Sequence, residues 1–370
     1  MTTPVLGTDL AAMRRLNGRA VLTTLWAQAE PQTATRIAQV TGLSRTTVEA
    51  VLSDLQEQGL VSVQQLKSSR AGRPARGYDF ASRRGVVVGL DIGPHAVSGI
   101  ASDLRGERLT AVVRHEADLA DGSTALGAIA RLVDGLLSGA GFRKEQIAAL
   151  TIGIPGVVDV AGRPAKTTVV PQWLEMDIVA RLEALFPSSP IVFDNDSKLA
   201  AAAEVEFGAI GGGETAVLLR LGNRISAATV VDGRVARGAH GAAGEIGALE
   251  RIGWPAAQRR LMRRAGAGLP ALFDAGQAGE GEAVQVIREF ASGIADGLAA
   301  LVLALDPQAI VVNSSVPLAA SQLLRGLESE LADRVLYVPE LRASTLGSAA
   351  VSLGAIVSGV GRVRGSLTAP

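Results

Sequence analysis

The spacing of apolar residues near the start of the chain predicts three helices. The first covers residues 9–28, where apolar side chains recur at roughly helical intervals: Leu10, Met13, Leu16, Leu22, Leu25 and Trp26. Two further helices are separated by a turn at Gly42, and the second begins after Ser44, a residue type that commonly caps helices. Its apolar positions follow a single face: Val48, Val51, Leu52 and Leu55. Two helices joined by such a short turn are typical of a helix-turn-helix.

A helix-turn-helix presents polar side chains at the N-terminal end of its second helix to bases and phosphates in the major groove. After Gly59 the pattern predicts a β-hairpin whose tip carries basic residues at three-residue intervals, as in the wing of a winged helix. We therefore predict that both parts contact DNA, through Arg36, Ser44, Arg45, Thr46 and Thr47 in the helical part and Lys67, Arg70, Arg73 and Arg76 in the hairpin. The alternative is a winged helix that makes protein contacts.

Beyond residue 85 the pattern changes to apolar strands that end in glycine-rich or polar loops and alternate with helices. Four segments show this arrangement clearly: residues 85–108, 147–162, 191–208 and 216–250. Proteins of the α/β class present functional loops at the ends of their strands. The predicted fold is therefore an α/β body that follows a winged helix-turn-helix domain.

The net charge of zero conceals an asymmetry between these two parts. Residues 1–84 contain eleven basic and six acidic side chains, a net charge of +5, so the rest of the chain carries −5. A basic head on an acidic body favours a head that faces nucleic acid, because phosphate contacts dominate such binding. Chance asymmetry of exposed charge is the alternative.

Composition excludes several classes of function. The chain of 370 residues has no cysteine, which excludes disulfides, thiolate metal sites and a cysteine nucleophile, and three scattered histidines argue against a zinc enzyme. No apolar run approaches the roughly 18–20 residues of a membrane span. The first residues lack the apolar core and cleavage site of a signal peptide, so we expect a cytoplasmic protein. Because cysteines are absent and histidines are few, we also expect no bound metal ion.

Several motifs together resemble the ROK family, the repressor and sugar-kinase group of the actin-like ATPase superfamily. They are Asp91-Ile92-Gly93, Gly153-Ile154-Pro155-Gly156, Asp194-Asn195-Asp196, the run from Arg237 to Gly247 that contains Gly-Ala-Ala-Gly-Glu-Ile-Gly, and Leu346-Gly347-Ser348-Ala349-Ala350. The resemblance implies a two-lobed actin-like ATPase body. It divides the chain into a winged helix-turn-helix domain at 1–82, a first lobe at 83–200, a second lobe at 201–345, and a C-terminal helix at 346–370 that packs back on the first lobe.

The positions that face the nucleotide in this family's kinases are altered. Pro94 and His95 follow Asp91-Ile92-Gly93 where the family continues with Gly-Thr, and proline removes a backbone donor. The second phosphate loop keeps only Gly222 of its glycines, and Asn313-Ser314-Ser315 stands where a third glycine-rich stretch is expected. We therefore expect no nucleotide cofactor and no kinase activity.

The sugar side of the resemblance is better preserved. It implies that an effector is bound by Gly156, Trp173, Asn195, Asp196 and Glu245, with Asp196 at the position of the kinases' general base. Alternatives are helix capping by Asp196, a loop carboxylate satisfied by backbone N–H groups for Glu245, and a core position for Trp173. The family's zinc motif is missing, because Ala248 replaces its histidine and its cysteines are absent.

The sequence thus predicts a transcriptional regulator, most simply a repressor, which binds a palindromic DNA operator as a homodimer or dimer of dimers. Its degenerate, nonphosphorylating body would sense a sugar or sugar derivative. One alternative is a bifunctional sugar kinase with a DNA-binding head. Another is a regulator that answers to a protein partner instead of a small molecule.

Overall fold

The computed structural model of the chain describes residues 10–66, 75–119, 121–167, 169–222, 224–266, 268–314 and 320–368. In this part of the chain no helix is both long enough and apolar enough to cross a membrane. Three bodies of secondary structure follow one another along the chain: a small head, and two five-stranded sheets.

The head consists of three helices and a two-stranded antiparallel hairpin: α1 (Leu10–Trp26), α2 (Ala34–Thr41), α3 (Arg45–Glu57), β1 (Val61–Leu66) and β2 (Ala75–Phe80). Gly42 ends α2 with a φ of 72°, a left-handed conformation that glycine adopts without strain. Ser44 caps α3 by accepting a hydrogen bond from the Thr47 N–H. The predicted stripe of α3 is buried, so the helix-turn-helix prediction is confirmed at the level of its elements.

The apolar residues whose spacing predicts α1 are only partly buried. Leu10, Met13 and Leu16 are each about half exposed or more, and the buried side chains of α1 begin at Val21. Periodicity identified the helix correctly, but only its C-terminal part contributes side chains to the core of the head. The helical spacing of the first half therefore does not reflect burial.

The first sheet of the body has the strand order β5-β4-β3-β6-β9. Its strands are β3 (Val86–Ile92), β4 (Ala96–Asp103), β5 (Val113–Glu116), β6 (Ile147–Ile154) and β9 (Ile191–Asn195). Strands β3, β6 and β9 run parallel, so their carboxyl ends meet at one edge. One face of this sheet forms a core with α4 (Gly122–Ala140), α5 (Gln172–Glu175) and α6 (Ile178–Leu185), and a short hairpin of β7 (Val157–Val158) and β8 (Pro164–Lys166) follows β6.

The second sheet has the order β12-β11-β10-β13-β14, with β10 and β13 parallel. Its strands are β10 (Ala216–Leu221), β11 (Ile225–Val231), β12 (Arg234–Val235), β13 (Ala309–Ser314) and β14 (Glu340–Ala343). The helices packed on one of its faces are α8 (Trp254–Arg264), α9 (Leu269–Gln277), α10 (Gly281–Leu305) and α11 (Ser321–Ala332).

Two helices lie between the sheets, α7 (Asp196–Phe207) and α12 (Ala350–Leu367). Side chains from both helices join the other face of the second sheet in one core, which includes Leu199, Val351 and Leu218. The two helices approach so closely that a Cβ on Gly354 would lie 1.8 Å from the Leu199 carbonyl oxygen. Only glycine fits at this position, so small residues in α12 determine how the sheets are joined.

The head shares a hydrophobic core with the body. Buried residues of α1, α3 and β2 form one cluster with Val87 and Leu104 of the first-sheet region and with Ile356 and Val363 of α12. The turn after β4 also enters this junction, where Arg105 Nη2 donates hydrogen bonds to the Leu25 carbonyl oxygen and to Asp79 Oδ1. The helix α12 thus packs against α7 and contributes side chains to the same hydrophobic cluster as the head.

Candidate functional site

Charged side chains meet where the carboxyl ends of strands from the two sheets approach each other. Asp91 lies near the end of β3, Arg220 near the end of β10, and Asn195 ends β9. We call the following group the carboxyl-end cluster: Asp91, Asp194, Asn195, Asp196, Lys198, Arg220, Arg237 and Glu245. Ligands of open α/β sheets bind at this edge, since the loops and helix N-termini converge there.

Arg220 is placed between two carboxylates of the cluster. Its Nη1 lies 2.5 Å from Asp196 Oδ2, and its Nη2 lies 3.7 Å from Asp91 Oδ2. All three side chains are less than one-fifth exposed. Burial raises the pKa of Asp91 to about 6, and the Arg220 charge opposes this rise. The guanidinium therefore links the first sheet, the second sheet and the N-terminus of α7.

Sequence reasoning missed Arg220, although a signal was present. The residue interrupts the strand Ala216–Leu221, in which all five remaining side chains are apolar and buried. An arginine within such a strand needs a buried partner of opposite charge, because leaving its charge unpaired in the interior is costly. The carboxylates at the strand ends, already singled out from the sequence, were the available partners.

Asn195, not Asp196, caps α7, so the predicted capping alternative for Asp196 is wrong. Asn195 Oδ1 accepts from the Lys198 N–H at 2.9 Å, which fixes the side chain at the helix N-terminus. Its Nδ2 donates to the Gly156 carbonyl oxygen at 2.8 Å and to Glu245 Oε1 at 3.1 Å. Four of the five residues predicted to bind an effector are therefore brought together: Gly156, Asn195, Asp196 and Glu245.

Among the described residues, Glu245 is held by the side chains of Asn195 and Lys198 and not by the backbone donors considered as an alternative. Besides Asn195, its Oε1 faces Lys198 Nζ at 3.8 Å. Lys198 is 2% exposed, and burial lowers its pKa while the neighbouring carboxylate of Glu245 opposes this effect. Burial also disfavours the charged form of Glu245, and it therefore raises the pKa of that carboxyl group.

The segment between β12 and α8 covers the cluster from the second sheet. Lys198 Nζ donates to the Gly241 carbonyl oxygen at 2.9 Å, and Arg237 Nη1 lies 2.5 Å from Asp194 Oδ1. Gly241 has a φ of 73°, and a Cβ there would lie 1.8 Å from the Val158 carbonyl oxygen. A glycine is needed here because the segment presses directly on the β7–β8 hairpin.

Trp173 does not line the cluster. The indole is 1% exposed within the core of the first sheet, and its Nε1 donates to the Leu119 carbonyl oxygen at 2.8 Å. This placement corresponds to the core alternative considered from the sequence. The indole N–H is satisfied inside the core, as buried tryptophans usually require.

Two of the segments that face the nucleotide in the family's kinases, and that are altered in this sequence, make hydrogen bonds within the protein. In the second phosphate loop the Ile225 N–H donates to Gln258 Oε1 at 3.0 Å, and Gln258 Nε2 donates to the Gly222 carbonyl oxygen. At the end of β13, Asn313 is fully buried and its Nδ2 donates to Ser344 Oγ and to the Gly347 carbonyl oxygen. These groups are engaged by the protein itself. Within the described residues, no three His, Cys, Asp or Glu side chains are grouped to hold a metal ion.

Most of the described residues predicted to contact DNA are exposed. Arg36, Ser44, Arg45 and Thr46 are exposed on α2 and around the start of α3, and Arg76 is exposed on β2. Ser44 and Thr47 are engaged with each other, since their hydroxyl oxygens lie 2.8 Å apart. Arg45 forms an exposed pair with Glu49, with Nε 2.9 Å from Oε1. Lys67, Arg70 and Arg73 lie outside the described residues.

Comparison with known proteins agrees with both parts of this architecture. The ROK family matches residues 87–253, and the IclR helix-turn-helix domain matches residues 17–65. The chain carries a ROK family domain. The resemblance noted from the motifs is thereby confirmed, and the matched range contains the whole carboxyl-end cluster, from Asp91 to Glu245.

Individual relatives extend the likeness over the whole chain. The xylose repressor of Bacillus spizizenii is 21% identical over 94% of this chain and 95% of its own length. A crystal structure of a ROK family transcriptional regulator, a homolog of the E. coli MLC protein, has a TM-score of 0.70 at 18% identity, covering 96% of this chain and 98% of its own. A ROK glucokinase from Streptomyces griseus, solved with glucose and AMPPNP, covers 74% of this chain and 99% of its own, with a TM-score of 0.59 at 22% identity. The ROK domain and its helix-turn-helix head therefore share the fold of a ROK regulator.

Proposed function

We propose that the protein is a DNA-binding transcriptional repressor whose ROK domain binds a carbohydrate effector without phosphorylating it. The head, residues 1–82, reads a palindromic operator as part of a homodimer in the cytoplasm, and residues 83–370 form the sensor. The observation that carries this proposal is the shared core between head and body. Because α12 packs against α7 and shares a hydrophobic cluster with the head, a change at the start of α7 has a packed route to the head.

The pairing of Arg220 with Asp196 supports a sensor without kinase activity. A general base must accept a proton from the substrate hydroxyl, and Asp196 Oδ2 is already engaged by the Arg220 guanidinium at 2.5 Å. The same arginine separates Asp196 from Asp91, the residue of the first phosphate loop. Together with Pro94 and with the Gln258 contacts, this arrangement argues against a preorganised site for a phosphoryl donor.

The central test is a footprint on DNA fragments obtained by genome-wide identification of bound sites. We expect symmetrical protection of two half-sites spaced by about one helical turn. An appropriate sugar should then change the affinity for that fragment. Protection of a single unsymmetrical half-site, or the absence of any specific site, contradicts the proposal.

The kinase alternative is tested by incubating the protein with ATP, Mg²⁺ and a panel of sugars. We expect no turnover above a control without protein. Robust phosphorylation that disappears in Asp196→Ala would establish the bifunctional enzyme instead. If no sugar changes DNA binding or the melting temperature, the protein-partner alternative is favoured, since it needs no small-molecule effector.

A further inference from the structure

The charges of the carboxyl-end cluster restrict the kind of ligand it can accept. It contains four carboxylates, from Asp91, Asp194, Asp196 and Glu245, and three cationic side chains. Each cation lies within 4 Å of a carboxylate of the same cluster: Arg220 to Asp91 and Asp196, Arg237 to Asp194, and Lys198 to Glu245. The described cluster therefore holds its positive charges in internal pairs, with one carboxylate in excess.

Neighbouring charges do not reverse this balance. Arg114 is near enough to act on Asp91, but its Nε donates to Glu116 Oε1 at 2.8 Å and its side chain is 59% exposed. Exposed charges of this kind are screened by water and salt. The field at the cluster is thus governed by the paired groups and by the excess carboxylate.

The carboxylates are also matched to hydroxyl groups and not to phosphate. An ionised carboxylate only accepts hydrogen bonds, so its partner must donate. Sugar hydroxyls donate, whereas a phosphate dianion offers acceptors and two further negative charges. To bind there, a phosphate would have to displace Arg220 from Asp196 or Arg237 from Asp194, and so leave a carboxylate unpaired in a poorly hydrated place.

We infer that the carboxyl-end cluster selects an uncharged sugar and rejects its phosphorylated form, with Arg220 acting as the internal counter-ion that enforces the choice. This inference rests on the proposed sensing function, which it makes more specific. Arg220 fills the gap between Asp91 and Asp196, so the eight described residues of the cluster offer neither an unpaired cation for a phosphate nor an open carboxylate pair for a divalent metal ion.

Calorimetry on the full chain tests the selection directly, using D-xylose, D-glucose and D-glucose 6-phosphate. We expect one of the uncharged sugars to bind and the phosphate ester to bind at least about tenfold more weakly than glucose, or not at all. Binding of glucose 6-phosphate as tightly as glucose, or more tightly, overturns this inference while leaving the sensor function intact. Failure of all three to bind, extended to a wider panel with the same result, overturns the sensor function and this inference together.

A charge-swap experiment tests the role of Arg220 without knowledge of the sugar. In the double variant Asp91→Asn with Asp196→Asn, the guanidinium loses both carboxylates while the side chains keep their size. Inorganic phosphate should not bind the natural protein detectably. We expect it to bind this variant with an affinity at least about tenfold above the weakest binding that the calorimeter detects. The matched control, Asp134→Asn with Asp296→Asn, removes two exposed partners of Lys144 and Arg334 and should leave phosphate binding unchanged.

The outcome of the charge swap is decisive either way. A gain of phosphate binding in the cluster variant alone supports the counter-ion role. An equal gain in both variants, or none in a cluster variant that remains folded by circular dichroism, shows that Arg220 is not what excludes anions.

Discussion

Arg105 and Asp79 join the ROK domain to the helix-turn-helix head, with Nη2 2.7 Å from Oδ1. The same nitrogen donates to the Leu25 carbonyl oxygen at 2.8 Å, and the guanidinium lies 5.6 Å from the centre of the Phe80 ring. The turn that carries Arg105 is itself fixed, because Asp103 Oδ1 accepts from the N–H groups of Arg105 and Glu107. The head is thus held in a defined orientation and not on a free linker.

Replacement of Arg105 by alanine should loosen this junction. Arg105→Ala removes charge-assisted hydrogen bonds to Leu25 and Asp79 and a contact with the Phe80 ring, at a site that is one-fifth exposed, so we expect a loss of about 2–3 kcal/mol in the free energy of unfolding. Urea unfolding followed by circular dichroism measures the loss. Arg108→Ala changes an exposed arginine three residues away and should alter stability by less than about 0.5 kcal/mol. Equal effects of the two substitutions would refute a specific junction.

The first turn of α3 should supply DNA affinity without supplying stability. Arg45 is 69% exposed, and its helix pair with Glu49 contributes only about 0.3–0.5 kcal/mol to folding. If the side chain contacts a base edge, Arg45→Ala should weaken operator binding by roughly 1–3 kcal/mol with little change in melting temperature. Fluorescence anisotropy with operator DNA and with scrambled DNA distinguishes a base contact from a phosphate contact. Loss of a base contact weakens binding to the operator alone, whereas loss of a phosphate contact weakens binding to both DNAs equally.

The close contact between α7 and α12 predicts a difference between two glycines of the same helix. Gly354→Ala would place a methyl group 1.8 Å from the Leu199 carbonyl oxygen, so we expect destabilisation by about 3 kcal/mol or more. Gly361→Ala meets no atom within 4 Å and should stabilise the helix by about 0.5–1 kcal/mol. Thermal and urea unfolding of both variants give the comparison, and a reversed order would contradict the packing described.

The raised pKa of Asp91 predicts a pH dependence of stability with a definite sign. Between the unfolded value of 3.8 and the folded value of about 6, the native state binds more protons at this residue than the unfolded state. Stability from this group is therefore lost as pH rises through that window, by about 3 kcal/mol in all, and is constant above it. Other groups titrate in the same range, so the observable is the difference between the natural protein and Asp91→Asn.

Urea unfolding at several pH values from about 4 to about 8 checks this expectation. The free energy of unfolding of the natural protein, relative to Asp91→Asn, should fall up to about pH 6 and then level off. A difference that rises with pH would mean that Arg220 outweighs burial at Asp91.

Local patterns predicted the head well because its elements are determined locally. Gly42 requires a left-handed turn, Ser44 accepts the free N–H of Thr47, and a helical stripe of four apolar residues buries itself. In α1 the same kind of periodicity predicted the helix but not the exposure of Leu10, Met13 and Leu16. Periodicity shows that a helix has an apolar face, and it does not show how much neighbouring structure covers that face.

The candidate site was predicted in part because three of its residues lie within one local motif, at the end of β9 and the start of α7. Arg220 was not foreseen, since its role depends on two sheets that meet only in the folded chain. The position of Trp173 also depended on tertiary structure, because the same side chain suits a core and a sugar face. Both outcomes were determined by long-range packing that spacing along the chain does not encode.

The position of α12 in the cluster beneath the head has a consequence for folding during translation. Translation proceeds from the head toward the C-terminus, yet Leu353, Ile356 and Val363 contribute to the cluster on which the head rests. The head is therefore synthesised before α12, the helix that completes this cluster. A nascent chain released before α12 is made would carry the helix-turn-helix without the complete cluster beneath it, so DNA recognition and its control would separate in such fragments.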